Sequence, residues 1–183
     1  MKSAAHIKGH PMHPMLILVP AGGFIITLIL DLIYLLGGGE IWWEATIPVM
    51  IVAVVGGLIA ALPGLIDLFK VAEPQGAFKI GVAHGSINLV VLAIFTANFL
   101  ARLVTPTPVT GVPWEFWMSV SGVALLGISG ALGWHMVYRY HVGVDEETTQ
   151  KRHERHERER ERDRERERGR YGDSDVAEGG TPA

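Results

Sequence analysis

Four apolar stretches, about residues 14–36, 43–69, 78–103 and 114–140, fix what this chain can become. At about 1.5 Å of rise per residue each is long enough to cross roughly 30 Å of hydrocarbon. A helix satisfies every backbone polar group within one such segment, so helices are the expected form. The expected fold class is therefore all-α, an integral membrane four-helix bundle. Residues 1–13 precede it, the four spans fill 14–144, and 145–183 form a charged helical or disordered tail. The apolar run from about Met15 to Leu36 lacks a small-residue cleavage site and is longer than the core of a cleaved signal peptide, so it reads as a retained span.

The links carry their own signals. Gly37-Gly38-Gly39-Glu40 ends the first span, and Trp42-Trp43, Trp114 and Trp117 suit the headgroup layer. Gly56, Ala60 and Gly64 in the second span, Gly81 and Gly85 in the third, and Gly122, Gly127, Gly130 and Gly133 in the fourth allow close backbone approach. Pro63 is expected to kink the second span. Lys2, Lys8, Lys70, Lys79 and Arg139 lie near the ends on one side and only Arg102 on the other, which predicts cytoplasmic termini in a bacterial inner membrane. The chain has no cysteine, so any metal would need His, carboxylate or Met ligands. Residues 151–168 hold nine Lys or Arg and seven Asp or Glu in alternation, a solvated face and not a nucleic-acid surface.

A shift of 71 residues places His13 on His84, Leu18-Val19 on Leu89-Val90, Trp43-Glu44 on Trp114-Glu115 and Gly56 on Gly127. A duplicated helical hairpin would produce this, with an axis along the membrane normal. Asp31 falls on Arg102 under the same shift, and an acid inside a span calls for a partner, so an intramembrane ion pair is expected between these two.

Span alternation gathers His10, His13, Asp67, His84, His135 and His141 toward one side of the membrane. Facing imidazoles on different helices are what a haem iron requires, and Gly-rich helices would leave room for its macrocycle. His13 and His84 are the leading ligands, His10 and His135 the alternates, and Asp67 either a metal ligand with His10, His13 and His84 or an orienting group. Met12 and Met15 beside the histidines bring copper into consideration. The competing reading makes these groups structural, with His84 satisfied by Asp67 or Asn88.

Gly9-His10-Pro11-Met12-His13-Pro14-Met15, the Gly64-Leu65-Ile66-Asp67 ending, His84 with Asn88, and Val137-Tyr138-Arg139-Tyr140-His141-Val142-Gly143-Val144 together resemble the bacterial membrane proteins of domain of unknown function 2231. The resemblance covers about residues 6–145. It implies redox company, since some members are fused to Rieske or c-type cytochrome domains. Members often carry Gly-Gly where this chain has Trp134-His135, so His135 is not carried over as a family site. No nucleophile–base pair or phosphate loop stands out, so no independent catalytic activity is expected. The reading is a membrane subunit holding haem b or a metal ion, with the bilayer and a redox protein as partners and a homo-oligomer allowed. The rival is a scaffold or small-solute or proton carrier.

Overall fold

The computed structural model describes residues 6–7, 10–70, 75–105, 107, 111–141 and 153–164, with only the backbone for 6, 7, 10, 11, 70 and 75. The elements in order are β1 (His6–Ile7), β2 (His10–Pro11), α1 (Met12–Leu16), α2 (Leu18–Ile33), a π-turn (Tyr34–Gly38), α3 (Glu40–Lys70), α4 (Gln75–Val104) and α5 (Trp114–Tyr140). The strands form a two-residue antiparallel hairpin pairing His6 with Pro11 and Ile7 with His10. Among the described residues four helices are long and apolar enough to cross a membrane, Met12–Gly38, Glu40–Phe69, Gly76–Val104 and Trp114–Tyr140. The chain is a multi-pass membrane protein built as an all-α four-helix bundle.

Local chemistry sets the breaks. Gly37 and Gly39 take φ of +94° and +88°, a region that side chains resist, and so turn the first span into α3. Pro113 stands extended before α5, and His141 closes that helix in the left-handed region with its N–H on the Met136 carbonyl. α3 continues as one helix through both Pro48 and Pro63. α2 packs on α3 and α5, as α4 does, so α2 and α4 stand on a diagonal of the bundle.

The interior is short of apolar volume and rich in polar groups. Phe24, Met50, Ala53, Val91 and Phe95 form the apolar core. Around it lie buried Thr27, Asp31, Thr46, Asn98, Arg102, Glu115, Ser119 and Ser129, while Leu, Ile and Val crowd the outer faces. Lipid is as apolar as leucine, so nothing drives these outer side chains inward, and polar groups find their partners inside.

The diagonal helices meet through side chains that the sequence places 71 residues apart. His13 faces His84 with ring centroids 6.3 Å apart, Phe24 stacks on Phe95 at 4.0 Å, and Asp31 meets Arg102 at 2.9 Å. Equivalent residues of two halves can touch only on the axis relating them. The three pairs run in the same order along both helices, so the axis runs along the bundle. Buried positions agree: Pro20, Phe24, Thr27 and Asp31 of α2 answer Val91, Phe95, Asn98 and Arg102 of α4.

The second helix of each half follows a different offset. Buried Thr46, Met50, Ala53 and Ala60 of α3 answer buried Glu115, Ser119, Gly122 and Ser129 of α5, an offset of 69 (115 less 46). The Trp-Glu identity at 71 is thus not a spatial match. Trp43 is buried whereas Trp114 is 55% exposed, and Glu44 is exposed whereas Glu115 is buried. The first half spends two more residues between its equivalent buried positions. Its glycine turn and π-turn fall in that interval.

The charged tail belongs to a second unit, Asp145–Ala183. Residues 153–164 are helical and exposed. Arg155 and His156 both approach Glu159, at 3.6 and 3.4 Å, which for solvated pairs contributes about a few tenths of a kcal/mol.

Candidate functional site

Two polar clusters sit on the axis, one at each end of the apolar core. At the first, His13 from α1 and His84 from α4 stand edge to face, with ring planes 88° apart. His13 Nδ1 lies 2.8 Å from the Ala60 carbonyl on α3, and His84 Nδ1 lies 2.8 Å from the Ser129 carbonyl on α5. A carbonyl only accepts, so each Nδ1 carries the proton and donates it. In a neutral ring Nε2 is then the bare nitrogen. The two nitrogens of an imidazole face nearly opposite ways, so each Nε2 turns away from the helix that anchors its ring. The amide of Asn88, one turn along α4, donates to His84 Nε2 at 2.9 Å.

The anchoring is itself duplicated, since Ala60 and Ser129 are equivalent under the 69-residue offset. Glycines seat the rings. A Cβ on Gly64 would lie 2.8 Å from His13 Nδ1, and one on Gly133 would lie 3.2 Å from His84 Cε1. Ser129 adds its hydroxyl 3.0 Å from His84 Nδ1.

The remaining candidates are arranged otherwise than the sequence suggests. His135 is exposed and packs edge-on to Tyr140 at 5.9 Å, because the α5 position facing His84 is Gly133, two residues earlier. Asp67 is half-buried, and the ring nitrogens it was expected to orient are bonded instead to Ala60, Ser129 and Asn88. The side chain of His10 lies outside the described residues. Among the described residues, no group of three His, Cys, Asp or Glu is placed to hold a metal ion. The glycines expected to make room for a macrocycle do not: Gly64 and Gly133 are filled by the imidazoles, while Gly85, Gly127 and Gly130 open on exposed faces. The groove lined by Leu16, Val19, Ile51, Val52, Val55 and Ile59 is apolar, open and on the outer surface.

At the other end, Asp31 and Arg102 are 1% and 3% exposed. Arg102 Nη2 lies 2.9 Å from both carboxylate oxygens of Asp31, with its hydrogen bond directed at Oδ2. Nη1 donates to Thr46 Oγ1 at 3.0 Å and Nε donates to Asn98 Oδ1 at 2.8 Å. The face of the guanidinium rests 3.9 Å from the ring centroid of Trp43, a cation–π contact made inside the bundle. Ser119 Oγ donates to Asp31 Oδ2 at 2.7 Å, and the Asn98 amide donates to Ser119 Oγ and to the Glu115 carbonyl. Every helix of the bundle contributes to this cluster.

Sequence reasoning missed Trp43, Thr46, Glu115, Ser119 and Ser129. Two of them carried a legible signal. Glu115 and Ser119 stand at i and i+4, on one helix face, as do Asn98 and Arg102, and polar residues at that spacing inside a span point to the interior.

Against known proteins, the chain matches over residues 9–146 the family described as predicted membrane protein (DUF2231), and it belongs to that family. No curated protein and no solved structure matches it.

Proposed function

We propose that this member of the family is a membrane subunit without catalytic activity of its own, whose His13–His84 pair holds a single metal centre for a redox partner. The observation that carries this reading is the paired anchoring of both Nδ1 atoms on backbone carbonyls at 2.8 Å. Histidines that ligate metals almost always donate their other ring N–H in this way, which fixes the tautomer and bares Nε2. A centroid separation of 6.3 Å also suits two imidazoles on one ion, given a metal–nitrogen bond of about 2.0 Å on each side. The packed glycines favour a bare ion over haem b. Met12 and Met15 beside His13, and His10 three residues before it, are the further donors available, a set suited to copper. Asn88 has to swing off His84 Nε2 for both rings to bind. The lysine and arginine bias supports a cytoplasmic side of an inner membrane for this end.

A second reading has one observation in its favour. The Asn88–His84 hydrogen bond satisfies that ring without a metal, as a scaffold or proton carrier would need. Purification of the full chain in detergent, with metal analysis and an optical spectrum, separates the two. The metal reading expects stoichiometric metal that His84→Ala removes. A protein that retains neither metal nor haem absorption after expression with both supplied would leave the scaffold or carrier reading.

A further inference from the structure

The Asp31–Arg102 cluster is not electrically complete. Its ion pair is accompanied by a second carboxyl, Glu115 in the first turn of α5, which is 1% exposed. Neither Glu115 side-chain oxygen has a hydrogen-bond partner, and Asp31 Oδ1 accepts none either. Both Glu115 oxygens are thus left without a donor, and Asp31 Oδ1 has only its ion-pair contact with Arg102 Nη2 at 2.9 Å, in a cluster holding two acids and one base.

Glu115 belongs to this cluster. Ser119, one turn on along the same face of α5, donates to Asp31, and the Glu115 backbone carbonyl takes a hydrogen bond from Asn98. Its carboxyl interacts electrostatically with both Arg102 and Asp31. The groups that meet here are Asp31 from α2, Trp43 and Thr46 from α3, Asn98 and Arg102 from α4, and Glu115 and Ser119 from α5. Three of the five N–H donors of Arg102 are directed to Asn98, Thr46 and Asp31, and none bonds the Glu115 carboxyl. The nearest acid on α3, Glu44, is exposed and adds nothing inside. The amino end of α5 offsets part of the Glu115 charge, but an ionised carboxylate kept from water with no donor costs more than that offset returns.

We propose that Glu115 and Asp31 Oδ1 form a binding site for one further unit of positive charge, a proton or an alkali cation, beside the Asp31–Arg102 pair. Taking it up neutralises the cluster, and releasing it leaves an uncompensated charge on the bundle axis. The site is independent of the histidine pair, so failure of either proposal leaves the other standing.

The test uses the full chain in detergent with two readouts, thermal unfolding in sodium, potassium or choline chloride at equal ionic strength, and infrared difference spectra across a pH titration. An alkali cation appears as a rise in Tm with sodium or potassium over choline, lost in Glu115→Gln. A proton appears as a protonated-carboxyl band with no salt preference, also lost in Glu115→Gln while Tm is kept or raised. Asp31→Asn separates the two acids if Glu115→Gln fails to fold. A wild-type protein with no alkali preference and no protonated-carboxyl band assignable to Glu115 or Asp31 would overturn the proposal.

Discussion

The two ends of the bundle are built on the same axis and spend their polar groups in opposite ways. At the Asp31 end, a guanidinium is held by three side-chain acceptors and an aromatic face, and four helices are tied together. At the histidine end, each ring is tied by a backbone carbonyl of its own hairpin, and the rings approach each other without an interaction that demands both. The first arrangement locks the halves together, and the second leaves each ring held by its own half. Cross-axis pairing of unlike groups makes a clasp, whereas the like imidazoles make none.

The largest expected effect tests the clasp. Arg102→Ala removes one partner of a buried ion pair and should cost about 3–5 kcal/mol, measured by denaturant unfolding in detergent micelles. The double exchange Asp31→Arg with Arg102→Asp should recover a large part of that loss, because the axis makes the two positions nearly equivalent and Glu115 is there to receive an arginine at position 31. An exchange no more stable than the single variant would break the claim of two-fold equivalence.

An intermediate effect tests the core between the ends. A Cβ on Gly122 would lie 2.5 Å from Phe95, so Gly122→Ala should overpack the stacked phenyl rings and cost about 1–3 kcal/mol by the same unfolding assay.

Smaller stability effects with larger functional ones are expected at the histidine end. His84→Ala leaves the Asn88 amide without its acceptor and removes the ring N–H donated to the Ser129 carbonyl, at about 1–3 kcal/mol, and should abolish bound metal. The smallest is Asn88→Ala. It frees His84 Nε2, should shift stability by about 1 kcal/mol or less, and should tighten metal binding in a competition assay with a chromogenic chelator. Weaker binding in this variant would make Asn88 part of the site and not its cap.

The spans, the all-α class and the juxtaposition of Asp31 with Arg102 were legible because hydrocarbon imposes its thickness and its intolerance of charge on any sequence within it, and the family was legible in its His-Pro and Val-Tyr-Arg motifs. The 71-residue shift pointed to His13 with His84 for a related reason, since like positions of two halves converge on an axis. The same shift misread Trp43-Glu44. Identity along a chain does not register a two-residue difference in the link, and on a helix two residues turn a side chain to nearly the opposite face.

Tertiary structure alone decided which helices stand on the diagonal, and hence that Trp43 turns inward to Arg102 and that Gly133 and not His135 faces His84. It alone decided that Glu115 is buried without a donor, because that depends on four helices closing around one point. The sequence by itself determined which groups could not face lipid. Their partners were settled by packing, since a polar side chain in a bundle bonds whatever the neighbouring helices bring within about 3 Å.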